Sequence, residues 1–199
     1  MDSKPNFDKA ESLARELRLI QPGNSFSLNV EKLEFDRDVC IDTFENYAAI
    51  TNCDVSELTG NNRLIDGYTI KRGNVNIILH KEIARFEPRL NWTLAHELGH
   101  IYMGHTKDGA NEEIEAHWFA SELLMPTPLI YELVDRGKIV TNITLVDLFS
   151  VSHMAAHKKV SSLNRMPQKT EYLYNDLIER YSDEIDRCIA DGTDRFEIV

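Results

Sequence analysis

His96-Glu97-Leu98-Gly99-His100 are the residues of this chain whose types and spacing could do chemistry. Residues four apart on a helix share a face, one turn from each other. Two imidazoles so placed can bind one Zn²⁺, and Glu97, offset between them, can reach a metal-bound water as a general base. The surrounding stretch, 92–103, carries the apolar periodicity that predicts a helix there.

A zinc site of this kind needs a third protein ligand. In the metzincin arrangement a third histidine follows at H-x-x-G-x-x-H, but Gly104 and His105 fall at the wrong offsets for it. The other scheme takes a carboxylate from the next helix, where Glu112, Glu113 and Glu115 are all candidates. Helical phase does not choose among them: Glu112 lies nearest the apolar stripe and Glu115 sits over Phe119. At least one of the three is expected only to complement the helix dipole. A donor for a developing oxyanion is also required, with Tyr102, His105, His117 and His153 all open candidates.

Several elements must position these groups. Phe7, Ala10, Leu13, Ala14 and Leu17 predict a first helix that Pro22-Gly23 ends, and Phe44, Tyr47, Ala48 and Ile50 a second, closed near Asn52. Residues 24–40 are ambiguous. Tyr68-Thr69-Ile70 and Val75-Asn76-Ile77-Ile78-Leu79 read as strands of a hairpin turned at Lys71-Arg72-Gly73-Asn74. The motif helix follows Pro88, with Asn91 as candidate N-cap and Gly104 at its end. A further helix over 112–124 stops before Pro126, and another runs from Thr127-Pro128 to Gly137. Leu145–Phe149 and Ser152–Leu163 predict two helices around Ser150-Val151. Leu173, Leu177, Tyr181, Ile185 and Ile189 give an amphipathic C-terminal helix.

At 199 residues, with 42% apolar and 28% charged residues, the chain suits one domain with a small appendage. No apolar run approaches the ~20 residues that span a bilayer. The N-terminal residues lack the pattern of a secretory signal, and Cys40, Cys53 and Cys188 have neither metal-knuckle nor redox spacing. A cytoplasmic protein with free thiols is the expectation. The net charge of −11 disfavours binding to a phosphate backbone and suits a basic partner.

Asn91-Trp92-Thr93-Leu94-Ala95 leading into the motif, followed by Glu113-Ile114-Glu115-Ala116-His117-Trp118-Phe119-Ala120-Ser121-Glu122-Leu123-Leu124-Met125-Pro126, resembles the ImmA/IrrE family of metallopeptidases. The likeness is close over about 64–165, with His117 standing where the family usually has asparagine. It implies Zn²⁺ held by His96, His100 and Glu115, with Glu97 as catalytic base. The implied fold class is α+β: a small zincin-like core with a short sheet before the motif helix, then a helix-turn-helix-like subdomain and the C-terminal helix. The expected division is 1–137 for the peptidase and 138–199 for the helical part. The implied function is a zinc endopeptidase, gluzincin-like, that cleaves and inactivates a helix-turn-helix repressor. The alternative is a regulatory protein that sequesters a repressor or toxin partner without proteolysis. Residues 144–163 read as a packing or docking element rather than a DNA reader, although Lys158, Lys159 and Arg165 are present.

Overall fold

Three short strands, β1 (Val39–Thr43), β2 (Gly67–Arg72) and β3 (Val75–His80), form a sheet in the order β1-β3-β2. The computed structural model describes residues 4–60, 65–83, 85–107, 109–165 and 175–193. β2 and β3 are the expected hairpin, antiparallel with Thr69 opposite Ile78. Gly73 turns it at φ 61°, a left-handed conformation that glycine adopts without steric cost. β1 pairs with β3 in parallel, from a segment whose sequence gave no strand signal.

The described residues form two compact units. The first comprises the chain up to Leu13 together with Asn29–Ala120. It holds the sheet, the start of α1 (Phe7–Leu19), α2 (Phe44–Thr51), α3 (Val55–Thr59), α4 (Pro88–Met103) and most of α5 (Ala110–Leu124). Strand alternation splits the sheet between two sets of helices. Tyr68, Ile70, Ile77 and Leu79 face one way and pack with Phe44, Tyr47, Val55 and Leu58 of α2 and α3. The opposite face carries Thr69 and Ile78 toward α4, the motif helix.

The start of α4 differs from expectation. Pro88 occupies the first turn, where its missing N–H costs nothing, so the helix begins three residues before Asn91. Asn91 is instead buried, and its Oδ1 accepts a hydrogen bond from the Val30 amide at 2.8 Å. Gly104, at φ 77°, ends the helix as expected.

The second unit comprises Ala14–Leu28 and the chain from Ser121 onward, with α6 (Thr127–Asp135), α7 (Asn142–Phe149), α8 (His153–Leu163), α9 (Asn175–Arg180) and α10 (Ser182–Thr193). The division between these compact units falls at 120/121, and the chain crosses it again near the N-terminus. Arg18 is the physical reason. Its buried guanidinium donates to the carbonyls of Leu123 and Phe26, at 2.6 Å each, and packs over the Tyr181 ring. Beside it Phe26 stacks on Tyr181 and meets Phe149 at a tilt.

α7 and α8 are the expected helix-turn-helix-like pair, with Ser150 in a left-handed turn and Ser152 capping α8. Lys159 points inward: its Nζ meets Glu122 Oε1 at 2.6 Å, and both side chains are buried. Glu122 also accepts from the Thr127 amide and hydroxyl at the start of α6. One of the three cations that could have met a phosphate backbone is therefore committed to the core. The C-terminal stripe is divided between α9 and α10, with Leu177, Tyr181 and Ile185 buried, while Leu173 lies outside the described residues. No helix among the described residues is long and apolar enough to cross a membrane.

Candidate metal centre

Helical spacing on α4 stacks His96 over His100, with their Nε2 atoms 3.1 Å apart. From α5, Glu113 reaches the same point, its Oε2 3.4 Å from His96 Nε2 and its Oε1 3.4 Å from His100 Nε2. Ligand atoms held tetrahedrally on zinc by bonds of 2.0–2.1 Å lie about 3.3 Å from one another. Two imidazole nitrogens and a carboxylate at these separations fit a divalent cation in both spacing and charge. Burial, and after it the imidazoles of His117, His100 and His105, push His96 down to about 3. Its ring is therefore neutral across the physiological range, as a metal ligand must be.

What lets Glu113 come so close is the contact between the two helices. A Cβ built on Gly99 would lie 2.8 Å from both the Cα and the carbonyl oxygen of Ala116. Only glycine at this position of α4 allows that approach. Glu113 precedes Ala116 by three residues and shares its face of α5, toward the histidines.

Glu115, the ligand implied by the resemblance, is not brought to this point. Two residues beyond Glu113, it lies about 200° further round the helix. Its Oε1 accepts from the Asn6 amide at 2.6 Å, and its Oε2 pairs with His105 Nε2 at 2.8 Å. Burial works to raise its pKa, but the Asn6 amide and His105 outweigh it and hold the carboxyl below the ordinary range. Glu112 forms a long pair with Lys107, at 3.8 Å.

Glu97 lies on the side of α4 toward the sheet, where its Oε2 accepts from Thr69 Oγ1 at 2.6 Å. Burial raises its pKa above the ordinary carboxylate value, against the opposing hydrogen bond from Thr69. Thr69 was visible in the sequence only as one residue of a strand. Its role depends on which face of β2 meets α4.

The candidate oxyanion donors separate. Tyr102 donates to Asp36 Oδ1 at 2.8 Å under the Arg37 guanidinium. His105 is engaged with Glu115, and His153 lies in the second unit. His117 stands beside the site, its ring centroid 4.4 Å from that of His96. A ligand atom of His117 falls within 4.8 Å of those of His96 and Glu113.

No curated protein matches the chain. Residues 50–161 match the family described as the IrrE N-terminal-like domain, a peptidase family. That span contains α4, the whole of α5 and the strand that carries Thr69. Since it is more than half of the 199 residues, the chain belongs to the ImmA/IrrE family of metallopeptidases.

Proposed function

We propose that this protein is a zinc-dependent endopeptidase that cleaves and inactivates a helix-turn-helix repressor. The observation that carries the reading is the convergence of His96 Nε2, His100 Nε2 and the Glu113 carboxylate, with Glu97 on the same helix outside that set. His96, His100 and Glu113 would hold the ion. A bound Zn²⁺ supplies Lewis acidity for the scissile carbonyl and acidifies the attacking water.

Glu97 takes the proton from that water and returns it to the leaving amine. Its raised pKa suits the first half of that task, since a stronger base accepts more readily. His117 supplies the donor nearest the developing oxyanion. β2 is an edge strand among the described residues, so an extended peptide can pair along it beside Thr69 and Glu97. The repressor comes from family resemblance, and the charge of −11 complements a basic DNA-binding partner.

Thr69→Val removes a donor that favours the charged form of Glu97. The acid limb of the pH–rate profile is expected to move up by about 1 unit, because a hydrogen bond to a charged group is worth about 1.5 kcal/mol. A profile superimposable on the wild type would show that this bond is idle.

The direct test mixes zinc-loaded protein with a basic helix-turn-helix repressor from the same genome. Discrete fragments should appear, stop on chelation and resume when zinc is returned. A repressor left intact under all three conditions contradicts the reading.

A further inference from the structure

His105 fits no ligand scheme, yet it is tied to the candidate centre from behind. The geometry points to Glu115 and His105 as positioning residues that hold His100 in the tautomer whose Nε2, the nitrogen facing Glu113, is free to bind a metal. This inference rests on the reading of His100 as a ligand.

The chain of contacts is continuous. The Asn6 amide donates to Glu115 Oε1 at 2.6 Å, and Glu115 Oε2 meets His105 Nε2 at 2.8 Å. His105 Nδ1 lies 3.0 Å from His100 Nδ1. His100 Nε2 then faces His96 and Glu113. An ionised carboxylate only accepts, so His105 donates through Nε2. In a neutral ring its Nδ1 is then an acceptor, and His100 must place its own proton on Nδ1. That leaves a lone pair on His100 Nε2, aimed at the point shared with Glu113. For neutral rings, no other assignment satisfies all three bonds.

Local structure explains the unusual spacing. Gly104 donates to the Ile101 carbonyl, and His105 to that of His100 at 3.0 Å, the paired bonds of a Schellman turn. This turn folds His105 back beside the ring five residues earlier. Both partners are shielded, with side-chain exposures of 8% for His105 and 14% for Glu115, so water competes poorly for these bonds. Asn6 also caps α1 by accepting from the Lys9 amide, which fixes the far end of the chain. His96 has no such support: its Nδ1 is buried without a partner among the described residues. Orientation of the histidine pair is therefore set from the His100 side.

The test is zinc affinity, measured by competition with a chromophoric chelator, alongside the melting temperature of each metal-free protein. His105→Leu should weaken zinc binding by about 10–100-fold, the usual cost of losing a partner behind a ligating histidine. His105→Gln can accept from His100 and donate to Glu115, and should stay within about threefold of the wild type. Glu115→Ala, the smaller lesion, should lose about tenfold and decides the matter if His105→Leu does not fold. Wild-type affinity in both His105→Leu and Glu115→Ala would overturn the inference. So would equal losses in His105→Leu and His105→Gln, which mark a packing role. Failure of the wild type to bind zinc would sink the metal-centre reading first, and this inference with it.

Discussion

Glu97→Gln is expected to lower kcat/KM by about 10²–10⁴-fold, the contribution of a well-placed general base, while zinc binding is retained. Glutamine has nearly the same shape and still offers an oxygen to Thr69, whose hydroxyl lies 2.6 Å from the carboxylate. It cannot accept a proton at neutral pH. Glu97 faces the sheet while Glu113 completes the histidine pair, so the substitution leaves the proposed ligands untouched. Comparison of cleavage rates with zinc affinity in the same variant therefore separates base from ligand. It also separates proteolysis from sequestration. If Glu97→Gln still inactivates the partner in cells at the wild-type level, the protein acts by binding.

Gly99→Val should weaken zinc binding more than any change outside the ligands, by about 100-fold or more, because it acts through the geometry of all three. Its Cβ would meet Ala116 backbone atoms at 2.8 Å, and backbone cannot rotate aside as a side chain can. The helices must part, carrying Glu113 away from His96 and His100, and overpacking of this kind costs about 1–3 kcal/mol of stability. Ala116→Gly should not rescue the variant, since the clash is with Cα and the carbonyl oxygen rather than with the alanine methyl. Chelator competition and thermal melting check both effects. Unchanged affinity in Gly99→Val would mean that the α4–α5 approach does not set the centre.

The parts of the site that sequence reveals are those written into one helix. His96, Glu97 and His100 share a local period, and the β2–β3 hairpin announces itself by its turn. Glu113 was one of three open candidates. The choice depends on which face of α5 meets α4, a contact set by Gly99 and Ala116 across 17 residues of chain. Resemblance favoured Glu115, which the structure places behind the centre with His105. β1 went unread because its pairing with β3 is parallel and distant, leaving no turn to mark it. Buried Arg18 and Phe26 tie an early segment to Leu123 and Phe149 of the second unit, a long-range contact that no local pattern marks. Lys159 reads in the sequence as a cation beside the turn, whereas in the fold it pairs with Glu122 in the core.

The central claim is that His96, His100 and Glu113 together hold a catalytic zinc ion. Anomalous diffraction at the zinc edge, from crystals of the metal-loaded protein, tests it most directly. One peak is expected within bonding distance of His96 Nε2, His100 Nε2 and a Glu113 oxygen, with Glu115 still on His105. A peak ligated by Glu115 instead of Glu113, or none between the two histidines, would contradict it.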